Sequence, residues 1–151
     1  MPDADYDNDV TAKQGWIHAM AMPRELRVRD GRLIQKPLEE MKGLRKSEWR
    51  GSIREFGIWK TETCCFEMRA DLGEHGASMT LRLREDVFLS YEGQILTLSL
   101  GKSGCGRGRR SIRLEELRNF TVFSDTSSLE IFVNDGEEVI TARVYSKEWS
   151  Q

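Results

Sequence analysis

Hydrophobic and polar positions alternate with a period of two over most of the chain, most clearly between Ser124 and Tyr145. Leu129, Ile131 and Val133 alternate with Glu130 and Phe132, and Ile140, Ala142 and Val144 repeat the pattern after Asn134-Asp135-Gly136. A strand sends successive side chains to opposite faces, so this pattern predicts a β-hairpin with one buried face. The three residues between its arms tolerate positive φ, as a tight connection requires. Asp125, Thr126, Ser127 and Ser128 have short polar side chains that bond to nearby backbone, so a polar corner precedes the hairpin.

The same reading extends upstream. Cys64, Phe66, Met68 and Ala70 share one face against Cys65, Glu67, Arg69 and Asp71, and Met79, Leu81 and Leu83 lie opposite Thr80, Arg82 and Arg84. Val87, Leu89 and Tyr91 predict another strand, followed by Leu96, Leu98 and Leu100, then Ile112 with Leu114, and Phe120 with Val122. Many short half-buried strands separated by Gly, Asp and Ser turns predict an all-β fold, an antiparallel β-sandwich of two packed sheets. No fixed-period repeat suggests a propeller or solenoid.

Nearer the N-terminus, Leu26 and Val28 alternate with charged residues, Asp30-Gly31 turns the chain, and residues 32–35 predict the return strand of another hairpin. Pro37 then opens a stretch in which Leu38, Met41 and Leu44 fit a helical face interrupted by Gly43, which predicts one or two short helical turns. Residues 1–14 carry Asp3, Asp5, Asp7 and Asp9 with few apolar side chains and read as a linker. Residues 15–151 are expected to form a single sandwich domain.

Composition adds bounds. At 151 residues the chain is the size of one domain. Its net charge of -2 gives no general attraction to nucleic acid or to an anionic membrane. No apolar run approaches the ~20 residues of a membrane span. Three cysteines make an odd count, and Cys64 and Cys65 are neighbours that a strand would point to opposite faces, so reduced thiols and a cytoplasmic setting are expected.

Candidate chemistry is sparse. His18 and His75 lack companions at metal-ligand spacing, and no nucleophile motif is present. Residues 101–110 join glycines to Lys102, Arg107, Arg109 and Arg110 but lie between two strand patterns, where a long, mobile, solvated hairpin loop is expected instead of a phosphate cradle. A glycosidase needs two carboxylates flanking a sugar. Asp125 and Asp135 belong to turns, and Glu130 faces away from the Leu129, Ile131 and Val133 side, so none stands out as catalytic. No cofactor or metal is expected.

Two stretches carry a family resemblance. Gly15-Trp16, Met22-Pro23-Arg24-Glu25-Leu26, Asp30-Gly31, Leu33 and Gln35-Lys36-Pro37 are similar to the segment of glycoside hydrolase family 32 where the last propeller blade passes into the C-terminal domain. The run from Asp125 to Glu137, with Thr141, Arg143 and Tyr145, resembles that family's closing hairpin. The resemblance implies a concanavalin-like β-sandwich attached to an N-terminal five-bladed propeller, with residues 1–14 a linker or a remnant of the preceding blade. The parent would be a β-fructofuranosidase acting with retention on sucrose, sucrose 6-phosphate or fructans. The family's three catalytic motifs are missing from this sequence, so the chain is expected to be catalytically silent and to pack on the propeller. Trp16, Pro23, Arg24 and Glu25 are then candidate interdomain contacts, and a homodimer through the sandwich is open. The alternative is a lectin-like carbohydrate-binding module using Trp49, Trp59, Trp149 and Tyr91. A third reading is a polyanion-binding module built on Arg107, Arg109, Arg110 and Arg113.

Overall fold

The computed structural model describes residues 9–16, 19–52, 55, 61, 63–73 and 78–145. Three antiparallel sheets account for its strands. β1 (Arg24–Arg29) and β2 (Arg32–Pro37) form a two-stranded hairpin. β3 (Phe66–Asp71), β8 (Asn119–Asp125), β9 (Ser128–Val133) and β10 (Glu138–Arg143) form a first four-stranded sheet in the order β10-β9-β8-β3. β4 (Met79–Arg84), β5 (Val87–Glu92), β6 (Ile95–Ser99) and β7 (Arg109–Arg113) form a second four-stranded sheet, a simple meander. The stretch Glu39–Leu44 supplies the expected short helical turns, as a 3₁₀ segment.

One core lies between the two large sheets. Leu89, Leu96 and Leu98 of the second sheet join Phe120, Val122, Leu129, Ile131 and Val133 of the first, and all are buried. These are the inward positions of the period-two pattern, so the antiparallel β-sandwich expected from the sequence is the fold observed. Removing them from water supplies the main driving force for sheet packing.

Two departures from the pattern have local causes. β4 carries a register shift between Arg82 and Arg84, a bulge that leaves Leu83 and Arg84 both buried. Strict alternation would keep Arg84 on the polar face with Arg82, yet it is only 5% exposed. Its guanidinium crosses to the first sheet and donates to the Thr126 carbonyl at 3.2 Å, to the Ser124 hydroxyl at 3.0 Å and to the Asp125 carbonyl. Burial lowers its pKa from the usual arginine range, since desolvation disfavours the cation.

The glycine-rich stretch is the second departure. In place of a solvated loop, Lys102–Gly104 form a 3₁₀ turn, and Ser103, Gly104 and Arg107 are buried. Asp86, in the β4–β5 turn, accepts from the Ser103 backbone N–H at 3.0 Å and from its hydroxyl. Burial works to raise the Asp86 pKa, but these donors outweigh it and hold the carboxyl below its ordinary value. A depressed carboxylate pKa stabilises the fold above the unfolded value, about 3.9, and that contribution is lost as pH falls through the folded value. Asp86→Asn should therefore be less stable than wild type at pH 7, and the gap should close in urea titrations run below pH 4. A gap independent of pH would mean that the Asp86 charge does not hold this turn.

Candidate functional site

The outer face of the first sheet is covered by the segment leading into β1 and by the β1–β2 hairpin. Alternation sends Glu130 and Phe132 to this face, away from the core, where water would be expected. Glu130 is nonetheless 3% exposed and Phe132 is buried. Arg24 donates to Glu130 Oε2 and to Thr141 Oγ1, and Met22 N donates to Glu130 Oε1 at 2.6 Å. Thr141 donates in turn to Glu130 Oε2 at 3.2 Å, because β9–β10 pairing sets the two residues directly opposite. Each Glu130 oxygen thus has a donor, as a buried charge requires.

Arg24 holds further partners. Its Nη1 donates to Gln35 Oε1 at 2.9 Å, and its guanidinium sits 5.5 Å from the centroid of the Phe132 ring. Phe132 meets Phe123 edge to face at 5.9 Å. The hairpin is also pinned at its far end, where Arg29 pairs with Glu137 at 3.2 Å. Glu137 further accepts Arg118 at 2.8 Å.

The four candidate contact residues separate into two kinds. Arg24 reaches the sheet, and Trp16 is half-buried with the Arg143 guanidinium 5.2 Å from its ring centroid. Pro23 is exposed, and Glu25 pairs with neighbouring Arg27, at 2.6 Å. Glu130, Thr141, Phe132 and Gln35 complete the cluster without having been singled out as contacts. The sequence signal for Glu130 is a carboxylate within the otherwise apolar run Leu129 to Val133.

The remaining candidates fall elsewhere. Asp125 accepts its own turn's Thr126 N–H at 2.7 Å, and Asp135 accepts Asn119 Nδ2 at 3.1 Å and Arg69 at 3.3 Å. Hydrogen bonds from Asn119 and Arg69 overcome the effect of burial and hold Asp135 below the usual carboxylate range. Tyr91 is a core residue, Trp49 is exposed, and Trp59, Trp149, His18 and His75 lie outside the described residues. Arg107 is buried and donates to the Gly104 carbonyl at 3.2 Å, so it is not part of an open basic face. Among the described residues no group of three or more His, Cys, Asp or Glu is arranged to hold a metal, and no helix is long and apolar enough to cross a membrane.

Comparison with known proteins agrees with the fold. Residues 45–151 match the family model "Glycosyl hydrolases family 32 C terminal". Sucrose-6-phosphate hydrolase of Bacillus subtilis is 33% identical over 96% of this chain and 32% of its own length. Raffinose invertase of Escherichia coli is 32% identical over 89% of the chain and 31% of its own. The solved sucrose-6-phosphate hydrolase of Lactobacillus gasseri superposes over the whole chain and 33% of its own, with a TM-score of 0.68 at 22% identity. The chain thus spans about a third of the length of these relatives. With a family match over most of its length and the two-sheet architecture to support it, the chain belongs to glycosyl hydrolase family 32, as a C-terminal β-sandwich domain of that family.

Proposed function

We propose that this chain is the non-catalytic sandwich of a β-fructofuranosidase-type enzyme and that it packs on a catalytic five-bladed propeller supplied by the same protein. The parent activity would be hydrolysis of a terminal β-fructofuranosyl bond, in keeping with relatives named sucrose-6-phosphate hydrolase and raffinose invertase. The observation that carries the reading is the fate of the carboxylates. Glu130 is committed to Arg24, Asp125 to its turn, Asp135 to Asn119 and Arg69, and Glu137 to Arg29 and Arg118. A glycosidase acid and nucleophile must instead both face a sugar. Cys64 and Cys65, present as thiols, fit a reducing, cytoplasmic setting.

The propeller's contact is assigned to the β1–β2 hairpin. Leu26, Val28 and Leu33 share one of its faces, with Val28 directly opposite Leu33, and they are 61%, 77% and 50% exposed. Clustered apolar side chains of this size mark a surface meant to be covered. Purified chain should show no hydrolysis of sucrose or sucrose 6-phosphate, and it should self-associate in sedimentation, with the double variant Val28→Thr/Leu33→Gln shifting it toward monomer. Turnover by the chain alone would sink the non-catalytic reading, and association indifferent to these substitutions would remove the hairpin as its cause.

One observation favours the carbohydrate-binding alternative. Thr80, Ser90, Thr97 and Ser111 line up across the outer face of the second sheet, beside exposed Phe88. Calorimetric titration with a fructan decides it: saturable heat abolished by Phe88→Ala supports a sugar platform, and no heat removes it.

A further inference from the structure

Cys64 and Cys65 stand just before β3, and the chain does not yet run as a strand there. Thr63 Oγ1 accepts the Cys65 N–H at 3.1 Å, while Thr61 Oγ1 accepts the Thr63 N–H at 3.2 Å and donates to the Thr63 carbonyl at 2.9 Å. Such side-chain bonds to nearby backbone compete with extended structure and bend the chain. The two thiols, which a strand would send to opposite faces, therefore bring their sulfurs to 3.8 Å. Cys64 is buried and Cys65 exposed, and Cys65 Sγ also donates to Asp125 Oδ1 at 3.3 Å.

A direct disulfide suits this pair poorly. Neighbouring Cα atoms across a trans peptide are about 3.8 Å apart, short of the roughly 4.4 Å at which disulfide geometry begins. Oxidation is disfavoured kinetically as well. Desolvation, the bond to Asp125 and the neighbouring Cys64 push the Cys65 thiol up to about 11, so little attacking thiolate exists at neutral pH. One acceptor atom bonded to both sulfurs avoids the geometric difficulty. It needs side-chain rotation from the observed spacing and no closure of the backbone.

We propose that Cys64 and Cys65 form a vicinal dithiol site for thiophilic trivalent metalloids of the arsenous class. Soft sulfur ligands suit such acceptors. Two S–H bonds are replaced by two S–As bonds, and both protons leave with arsenic-bound oxygen as water. Arsenic stays trivalent, so no oxidant is required. Asp125, already accepting from the Cys65 thiol, is placed to take its proton as the first S–As bond forms. It keeps the Thr126 N–H, so the β8–β9 turn survives loading.

The test is phenylarsine oxide added to the native 151-residue chain, read by intact mass and by titration of free thiols. One arsenical per chain should bind with loss of one water, and the thiol count should fall by two. The adduct should persist in excess glutathione, a monothiol, and be removed by dithiothreitol. Cys105→Ser should retain it, while Cys65→Ser should lose its resistance to glutathione. Since Cys65 is exposed, that variant is expected to melt with wild type, which keeps the comparison free of unfolding. An adduct stripped by glutathione from wild type, or one that depends on Cys105, would overturn the proposal.

Discussion

Arg24→Ala should lower the stability of the chain by about 3 kcal/mol, because removing one partner of a buried ion pair strands the other. For a chain of this size that corresponds to a fall in melting temperature of roughly 6 to 12 °C. Glu130 is nearly inaccessible, and its remaining donors, Met22 N and Thr141, are neutral. The 17% residual exposure of the Arg24 side chain places the loss at the lower end of the range for buried pairs. The cost is also bounded by the docking free energy of the hairpin, since the chain can release residues 19–37 and let water reach Glu130. Amide hydrogen exchange should therefore accelerate in β1 and β2 before it does in the core strands. A double variant, Arg24→Met with Glu130→Met, should recover much of the loss, leaving Met22 N without its acceptor as the residual cost. Additive losses in the double variant would mean that the two charges do not depend on each other.

Gly136→Ala should be comparably damaging, by about 3 kcal/mol, through backbone strain and a clash together. Asn134, Asp135 and Gly136 all take positive φ, at 50°, 58° and 96°. A Cβ on Gly136 would lie 2.1 Å from the Gln35 carbonyl oxygen of β2, which is backbone and cannot rotate aside. Gly31→Ala is the control for conformation alone. Its φ is +74°, but nothing lies within 4 Å of the added Cβ, so a loss of about 1 kcal/mol is expected. Equal losses at the two glycines in urea unfolding would show that the approach of β2 to this turn carries no energy.

Both predictions concern one arrangement, the docking of an N-terminal hairpin on a sheet built from the end of the chain. Arg24 and Glu130 are separated by 106 positions. The turn at Asn134–Gly136 is held from several sides: Asn134 Oδ1 accepts Arg118 N at 2.9 Å, its Nδ2 donates to the Glu116 carbonyl at 2.8 Å, and β2 lies against Gly136. In a β-fructofuranosidase of the proposed kind, this junction would transmit the position of the propeller to the sandwich, because exposed Leu26, Val28 and Leu33 of the hairpin would meet the one while Arg24, at the start of the same hairpin, is held by the other.

Strand positions, the hairpin turns and the buried face of each large sheet are legible in the residues, because period-two alternation and Asn-Asp-Gly or Asp-Gly turns are local consequences of backbone sterics. Val87, Leu89, Leu96, Leu98, Leu129, Ile131 and Val133 were all readable as core. What covers the other face was not, since alternation reports which way a side chain points and says nothing of what meets it there. Glu130 and Phe132 point outward as expected and are buried by a segment from the opposite end of the chain. Arg84 turns inward through a bulge that a regular period cannot express, and Cys64 meets Cys65 because threonine side chains bend the backbone before β3 begins. Local sterics write the strands into the sequence, whereas a buried charge, a docked hairpin and a pair of facing thiols arise only when distant segments, or competing side-chain bonds, settle which groups lose water together.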